Sequence, residues 1–136
     1  MPSIFSKPIK EDTIGVAVNR CYGGFSLSEK AVEMLCTRIG DPKIQSYSFD
    51  SSYDRHHPIL IEVIQELGEE ANGHFSEIEI EYIEEIYKDF YSISEYDGME
   101  GIMINFNKFR NSQIKKILYS DEDDSTKVIK MKEILK

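Results

Sequence analysis

The stretch from residue 13 to residue 40 constrains the fold more than any other part of the chain. Residues 13–18 are mostly β-branched or apolar, which is typical of a buried strand. Gly23 and Gly24 follow, and they allow a tight reversal because glycine accepts backbone angles that a Cβ atom forbids. An amphipathic segment comes next and ends at Gly40. The sequence therefore predicts a strand, a glycine turn and a helix in immediate succession.

The helix after the glycine turn is predicted to begin at a capping box formed by Ser26 and Glu29. In such a box the serine side chain accepts a hydrogen bond from the third helical N–H, and the glutamate reaches back to the serine N–H. The apolar residues that follow share one helical face: Leu27, Ala31, Met34 and Leu35. Gly40 stands where a C-terminal cap belongs.

The glycine turn supports two interpretations. Glycines between a strand and a helix can present N–H groups at the positive end of the helix, which suits an anion. Arg20 and Tyr22 add a charge and a stacking face beside this turn. The alternative is that the glycines only form a tight turn and that Arg20 is a solvated charge. A short glycine motif does not decide between them, because neither a Walker lysine nor a full dinucleotide fingerprint accompanies it.

Composition limits the classes of partner. A chain of 136 residues with 40% hydrophobic content suits one compact domain, residues 1–136. Its net charge of −9 opposes general binding to DNA, RNA or anionic membranes, although one small basic pocket stays possible. Two cysteines, Cys21 and Cys36, are too few for a disulfide framework and are expected to be reduced. We recognise neither a signal peptide nor a stretch long and apolar enough to span a membrane.

The rest of the chain completes an α+β pattern. Residues 1–12 are predicted to form an extended N-terminal arm that docks on the body or on a partner chain, so a dimer or larger homo-oligomer is expected. Further strands are predicted at residues 43–49, 76–82, 86–94 and 101–106. Further helices are predicted from residue 58, from residue 106, and within residues 121–136 after an acidic break. This order predicts a mostly antiparallel sheet with helices packed on one face.

Catalytic and metal-binding patterns are weak. The three histidines, His56, His57 and His74, lack the spacing of a zinc site, and we expect neither a metal nor a cofactor. Asp97 and Glu100 are the one pair of carboxylates near a turn that suggests acid–base chemistry, although a turn aspartate is usually structural. We therefore expect a protein that is not an enzyme.

Aromatic residues are plentiful: the chain has eight tyrosines and seven phenylalanines. Core packing accounts for most of them, but several fall near turns or basic residues, where a base can stack for roughly 1–3 kcal/mol. These are Tyr22, Phe90, Tyr91, Tyr96, Phe106 and Phe109. Arg20, Arg55 and Arg110 can offer forked donors to a phosphate.

Three blocks of sequence resemble a family of small phage-encoded proteins. The first is residues 19–28, with the sequence NRCYGGFSLS; the others are residues 58–73 and residues 95–100. The resemblance spans about residues 14–105 and is to the first-type anti-Thoeris proteins of phages. Such proteins are sponges that sequester cyclic ADP-ribose signals made by TIR-domain defence enzymes, without cleaving them. The resemblance implies a homo-oligomer in the host cytoplasm with pockets at subunit contacts.

A cyclic ADP-ribose isomer needs donors for its diphosphate, rings for adenine and polar groups for its ribose hydroxyls. The ligand-binding residues expected on these grounds are Asn19, Arg20, Tyr22, Gly23, Tyr91, Asp97, Phe106 and Arg110. Two other functions stay open: an acidic inhibitor that docks on a host defence protein through its charged strand face, and a small nucleotide hydrolase that uses Asp97 and Glu100.

Overall fold

The structure is a computed structural model that describes residues 12–49 and 54–136. The predicted arm, residues 1–12, lies outside the described residues except for Asp12. The strands are β1 (Thr13–Asn19), β2 (Ile78–Glu84), β3 (Tyr91–Tyr96) and β4 (Met99–Ile104). The helices are α1 (Glu29–Ile39), α2 (Pro58–Leu67), α3 (Phe106–Leu118) and α4 (Asp124–Ile134), with short 3₁₀ segments at Ser46–Phe49, Gly68–Ala71 and Glu85–Tyr87.

The strands form two antiparallel pairs, which confirms the predicted α+β class. β1 pairs with β2 in a register that runs from Thr13 opposite Glu84 to Asn19 opposite Ile78. β3 and β4 form a hairpin whose two-residue turn is Asp97-Gly98, with φ values of 50° and 90°. Positive φ at both turn residues matches the right-handed twist of the strands that they join.

The core lies where β1, α1 and α2 meet. Val16, Ala17 and Val18 are fully buried, as the apolar character of this strand predicts. The apolar faces of α1 and α2 pack against each other, α2 also packs against this strand, and the buried residues of the two faces are Ala31, Leu35, Leu60, Val63 and Ile64. The two predicted amphipathic helices are confirmed, although α2 ends at Leu67 and Ala71 is buried in the 3₁₀ segment that follows it.

The predicted capping box is wrong. The N-cap of α1 is Ser28, whose side chain accepts a hydrogen bond from the backbone N–H of Ala31 at 3.1 Å. Ser26 Oγ instead donates to the carbonyl of His74 at 3.0 Å. Leu27 forms a β-bridge with Asn72, so the chain stays extended through Leu27 and the helix begins later. The C-terminal cap is confirmed, because Gly40 adopts φ 82° and its N–H bonds the carbonyl of Cys36.

Two predicted strands differ in the structure. The segment 43–49 contains the 3₁₀ turn Ser46–Phe49 in place of a strand. There the side chain of Ser48 accepts from the N–H of Gln45, and such local hydroxyl bonds compete with strand pairing. The strand predicted over 86–94 begins only at Tyr91, because the 3₁₀ segment Glu85–Tyr87 precedes it.

The chain divides into two compact units, Met1–Met103 and Ile104–Lys136. The second unit contains the helical pair α3 and α4, capped by Asn105 and Asp123. No residue of either helix is buried. Large apolar side chains of this unit are exposed, namely Phe106, Leu118, Tyr119, Val128, Ile129 and Leu135. Among the described residues, every helix is too short or too polar to cross a bilayer.

Candidate functional site

Two exposed aromatic side chains flank a cleft at the glycine turn. Cys21, Tyr22, Gly23 and Phe75 line this cleft, which has a volume of about 420 Å³. The exposed fraction is 67% for Tyr22 and 81% for Phe75. Aromatic side chains carry a large apolar area, and an exposed pair of them at one cleft is typical of a recognition surface. We call this feature the aromatic cleft.

Phe75 is held in an unfavourable backbone conformation. Its φ is 61°, in the left-handed region that bulky side chains rarely adopt. Such a residue costs on the order of 1–3 kcal/mol and persists only where the surrounding structure holds it there. The strain therefore marks Phe75 as a position that the fold keeps in place.

Backbone geometry explains the glycines of the turn. A Cβ atom on Gly23 would stand 1.6 Å from the carbonyl oxygen of Phe75. A Cβ atom on Gly98, at the tip of the β3–β4 hairpin, would stand 2.4 Å from the backbone nitrogen of Gly24. The pair of glycines ends five residues before α1 begins at Glu29, so these residues do not form the helix N-terminus. Gly23 allows this close packing of backbone, whereas Gly24, whose φ is 92°, allows a left-handed conformation in the turn.

Asn19 is fully buried beneath the turn. Its Nδ2 donates to the carbonyls of Cys21 at 2.8 Å and Gly98 at 2.7 Å. Its Oδ1 accepts from the backbone N–H of Glu77 at 2.8 Å. Both amide hydrogens and the amide oxygen of Asn19 are thus used within the protein, and the side chain lies below the surface of the cleft.

Arg55 and Glu100 form a buried ion pair below the same turn. Arg55 is 2% exposed, and its Nη1 and Nη2 lie 2.6 Å and 2.8 Å from the two carboxylate oxygens of Glu100. Its Nε donates to the carbonyl of Phe49, and the guanidinium lies 3.6 Å from the ring centre of Phe25. The sequence predicts that Arg55 can offer forked donors to a phosphate, but in the structure both of its terminal nitrogens bond to the carboxylate of Glu100.

Arg20 pairs with the glutamate face of β2. Its Nη2 lies 3.3 Å from Oε2 of Glu81, its Nε lies 3.7 Å from Oε2 of Glu79, and its Nη1 donates to the carbonyl of Glu100 at 3.1 Å. The Arg20 side chain is 39% exposed. The alternative in which Arg20 is only a solvated charge therefore does not describe this side chain.

Tyr91 and His56 form a half-buried pair. The tyrosine hydroxyl lies 2.5 Å from Nδ1 of His56. Burial raises the pKa of Tyr91 to about 12. Burial, with a smaller contribution from the charge of Lys88, lowers the pKa of His56. The hydroxyl of Tyr91 is therefore an internal partner of His56.

The predicted site residues fall into three groups. Asn19, Arg20, Tyr22 and Gly23 lie together at the end of β1, and Asp97 occupies the hairpin turn beside Gly98. Tyr91 begins β3 and bonds His56. Phe106 and Arg110 lie on α3, in the other compact unit.

Sequence reasoning missed Phe75, which is the most exposed ring at the aromatic cleft. The preceding Asn72-Gly73 indicated only the end of a helix, and no residue pattern signals a phenylalanine at positive φ. It also missed that Glu100 is the partner of Arg55, because 45 residues separate them in the chain.

Among residues 12–49 and 54–136, no group of three histidine, cysteine, aspartate or glutamate side chains is arranged to hold a metal ion. Comparisons with protein-family models, with curated proteins and with solved structures gave no match.

Proposed function

We propose that this protein is a phage anti-defence sponge that binds a cyclic ADP-ribose-type nucleotide in the host cytoplasm and sequesters it without cleavage. The observation that carries the proposal is the aromatic cleft at the glycine turn, where Tyr22 and Phe75 are both exposed. The resemblance of residues 19–28 to anti-Thoeris proteins agrees with it.

The chemistry of the cleft suits a nucleotide base. Stacking of a base on an aromatic ring contributes roughly 1–3 kcal/mol. The cleft is open to solvent, so a base can reach the rings of Tyr22 and Phe75. Arg20 is the nearest cation along the chain, and its ion pairs with Glu79 and Glu81 are partly exposed. Exposed pairs contribute little to stability, so Arg20 can exchange them for a diphosphate at small cost.

The state of Glu100 supports binding without cleavage. Both of its carboxylate oxygens accept hydrogen bonds from Arg55, and one of them also accepts the N–H of Asn19. A general base must have an oxygen within reach of the proton that it removes. Glu100 is also only 8% exposed, so a substrate has little access to its oxygens, which argues against a hydrolase that uses Asp97 and Glu100.

The second unit supports self-association as a further part of the proposal. Helices of 13 and 11 residues without a buried side chain gain little from packing, and units of this size usually need a partner surface. The exposed apolar residues of α3 and α4 give a second copy a surface on which to pack.

Calorimetry with cyclic ADP-ribose as the probe tests the proposed function. We expect saturable binding by the full chain and recovery of chemically intact probe after heat denaturation. Tyr22→Ala and Phe75→Ala should each weaken binding by about tenfold, the loss of one stacking contact. Tyr47→Ala is the matched control, because Tyr47 is a 69% exposed ring outside the cleft. Hydrolysed probe, or equal loss in the control, would contradict the proposal.

A further inference from the structure

We propose that Asn19 is a positioning residue that sets the geometry of the aromatic cleft, and that Glu100 orients Asn19 for this role. The consequence for ligand affinity rests on the function proposed above, whereas the consequence for cleft geometry does not. Neither residue touches the cleft surface, since the exposed fraction of Asn19 is 0% and that of Glu100 is 8%.

The side chain of Asn19 joins the two chain segments that carry the rings. Its Nδ2 donates a hydrogen bond to the carbonyl of Cys21, the residue before Tyr22. Its Oδ1 accepts a hydrogen bond from the N–H of Glu77, two residues after Phe75. The backbone N–H of Arg20 adds a bond to the carbonyl of Glu77 at 2.8 Å. One buried amide therefore fixes the separation between both walls of the cleft.

The same amide joins the turn to the β3–β4 hairpin. Nδ2 of Asn19 also donates to the carbonyl of Gly98 at 2.7 Å, next to the point where Gly98 meets the backbone of Gly24. The hairpin tip is therefore held against the turn by a side-chain bond as well as by packing. Movement of either segment breaks this hydrogen bond, which is costly because the buried amide of Asn19 is left without a partner.

Glu100 orients Asn19 from below. Its Oε1 accepts the backbone N–H of Asn19 at 2.8 Å and Nη1 of Arg55 at 2.6 Å. Arg55 also donates to the carbonyl of Ala17 at 3.1 Å, inside β1. A fully bonded buried network of this kind has one arrangement, because any other leaves a charge or a donor unsatisfied.

Cys21 provides a reporter of cleft geometry that needs no ligand. Its Sγ lies 2.9 Å from the carbonyl oxygen of Phe75 and 3.4 Å from Oδ1 of Asn19. These contacts hold the sulfur against the Phe75 segment, and alkylation requires the sulfur to be accessible to the reagent. A cleft whose walls separate should expose this thiol and speed its alkylation.

The experiment compares alkylation by iodoacetamide in the full chain carrying Cys36→Ala, so that Cys21 is the one thiol present. Asn19→Asp keeps the size of the side chain but removes both donors. We expect the alkylation rate to rise about tenfold or more, because the hydrogen bonds to the carbonyls of Cys21 and Gly98 are both lost. Asn72→Asp is the matched control: its Oδ1 accepts from the N–H of Ile78, and a carboxylate can still do so. The control should react at the parent rate.

Amide hydrogen exchange on the unmodified chain makes the test independent of how the variants fold. Glu77 lies outside β2, yet its N–H should be protected to the level of the paired amides of β1. The proposal would be overturned if Cys21 in folded Asn19→Asp were alkylated at the same rate as in the parent chain. It would also be overturned if the Glu77 amide exchanged freely.

The probe cyclic ADP-ribose separates this inference from the proposed function. If the parent chain binds the probe, Asn19→Asp should weaken binding about tenfold while its melting transition stays cooperative. If the parent chain does not bind the probe, the sponge function fails, and the thiol and exchange measurements still decide whether Asn19 positions the cleft.

Discussion

Gly23 and Phe75 are in backbone contact so close that a single methyl group on the glycine would stand 1.6 Å from the phenylalanine carbonyl oxygen. Gly23→Ala should therefore push the turn away from Phe75 and cost about 1–3 kcal/mol of unfolding free energy, as overpacking does. Denaturant unfolding measures this. Gly101→Ala is the control, because the nearest atom to its Cβ would be 3.6 Å away. Equal losses in the two variants would contradict the close contact.

The buried ion pair should dominate the electrostatic stability of the first unit. Removing one partner from a buried pair typically costs about 3–5 kcal/mol, so Glu100→Gln should lower the melting temperature sharply. Glu66→Gln is the comparison, because Glu66 forms an exposed fork with Arg38 at 3.0 Å and 2.6 Å. We expect its melting temperature to change little. A similar, small shift for both variants would mean that burial adds nothing to the pair.

The glutamate face of β2 should compete with an anionic ligand for Arg20. Glu79→Gln combined with Glu81→Gln removes the two carboxylates that pair with Arg20. We expect the affinity for cyclic ADP-ribose to rise only about threefold, because the exposed ion pairs that Arg20 gives up are weak. Glu33→Gln combined with Glu84→Gln removes the same charge elsewhere. If both double variants bind alike, net charge and not Arg20 sets the affinity.

His56 should make stability depend on pH. Its pKa is lowered in the folded protein, first by burial and then by Lys88, with Asp54, Asp89 and His57 nearby. The unfolded chain therefore binds more protons below the ordinary histidine pKa of about 6.5, and stability falls as the pH falls through that value. His56→Gln should flatten the decline of the melting temperature between about pH 7.5 and pH 5. An identical decline in the variant would assign it to other groups.

Self-association should depend on the apolar surface of the second unit. Light scattering of the full chain should give a mass above the 15.8 kDa of one copy. Ile129→Glu places a charge on an exposed apolar position of α4 and should shift the mass to that of a monomer. Lys132→Glu, on the same helix, should leave the oligomer intact. A monomeric parent chain at micromolar concentration would contradict the prediction.

Helices α1 and α2 were predictable from the period of their apolar residues, and β1 was predictable from its run of β-branched and apolar residues. Leu60, Val63 and Ile64 are buried as their spacing predicts, and Gly40 caps α1. The start of α1 was not predictable, since Ser26 and Ser28 are both good caps and only the bridge between Leu27 and Asn72 decides between them.

The candidate site was predictable in its position but not in its construction. The glycine turn and Tyr22 were identified from local sequence, because tight turns have a local signature. The contributions of Phe75, Arg55 and Glu100 depend on contacts between segments far apart in the chain, and a single sequence contains no record of such pairings.

In the aromatic cleft, one set of contacts holds the backbone in place, and a different set of groups is exposed to solvent. The backbone of Gly23 packs against the backbone of Phe75, and the backbone of Gly98 packs against that of Gly24. Almost any side chain at Gly23 or Gly98 would therefore disturb the fold. The exposed groups, the rings of Tyr22 and Phe75, project into solvent. Single substitutions can therefore change the chemistry of these two rings while the backbone contacts between Gly23 and Phe75 and between Gly24 and Gly98 stay in place.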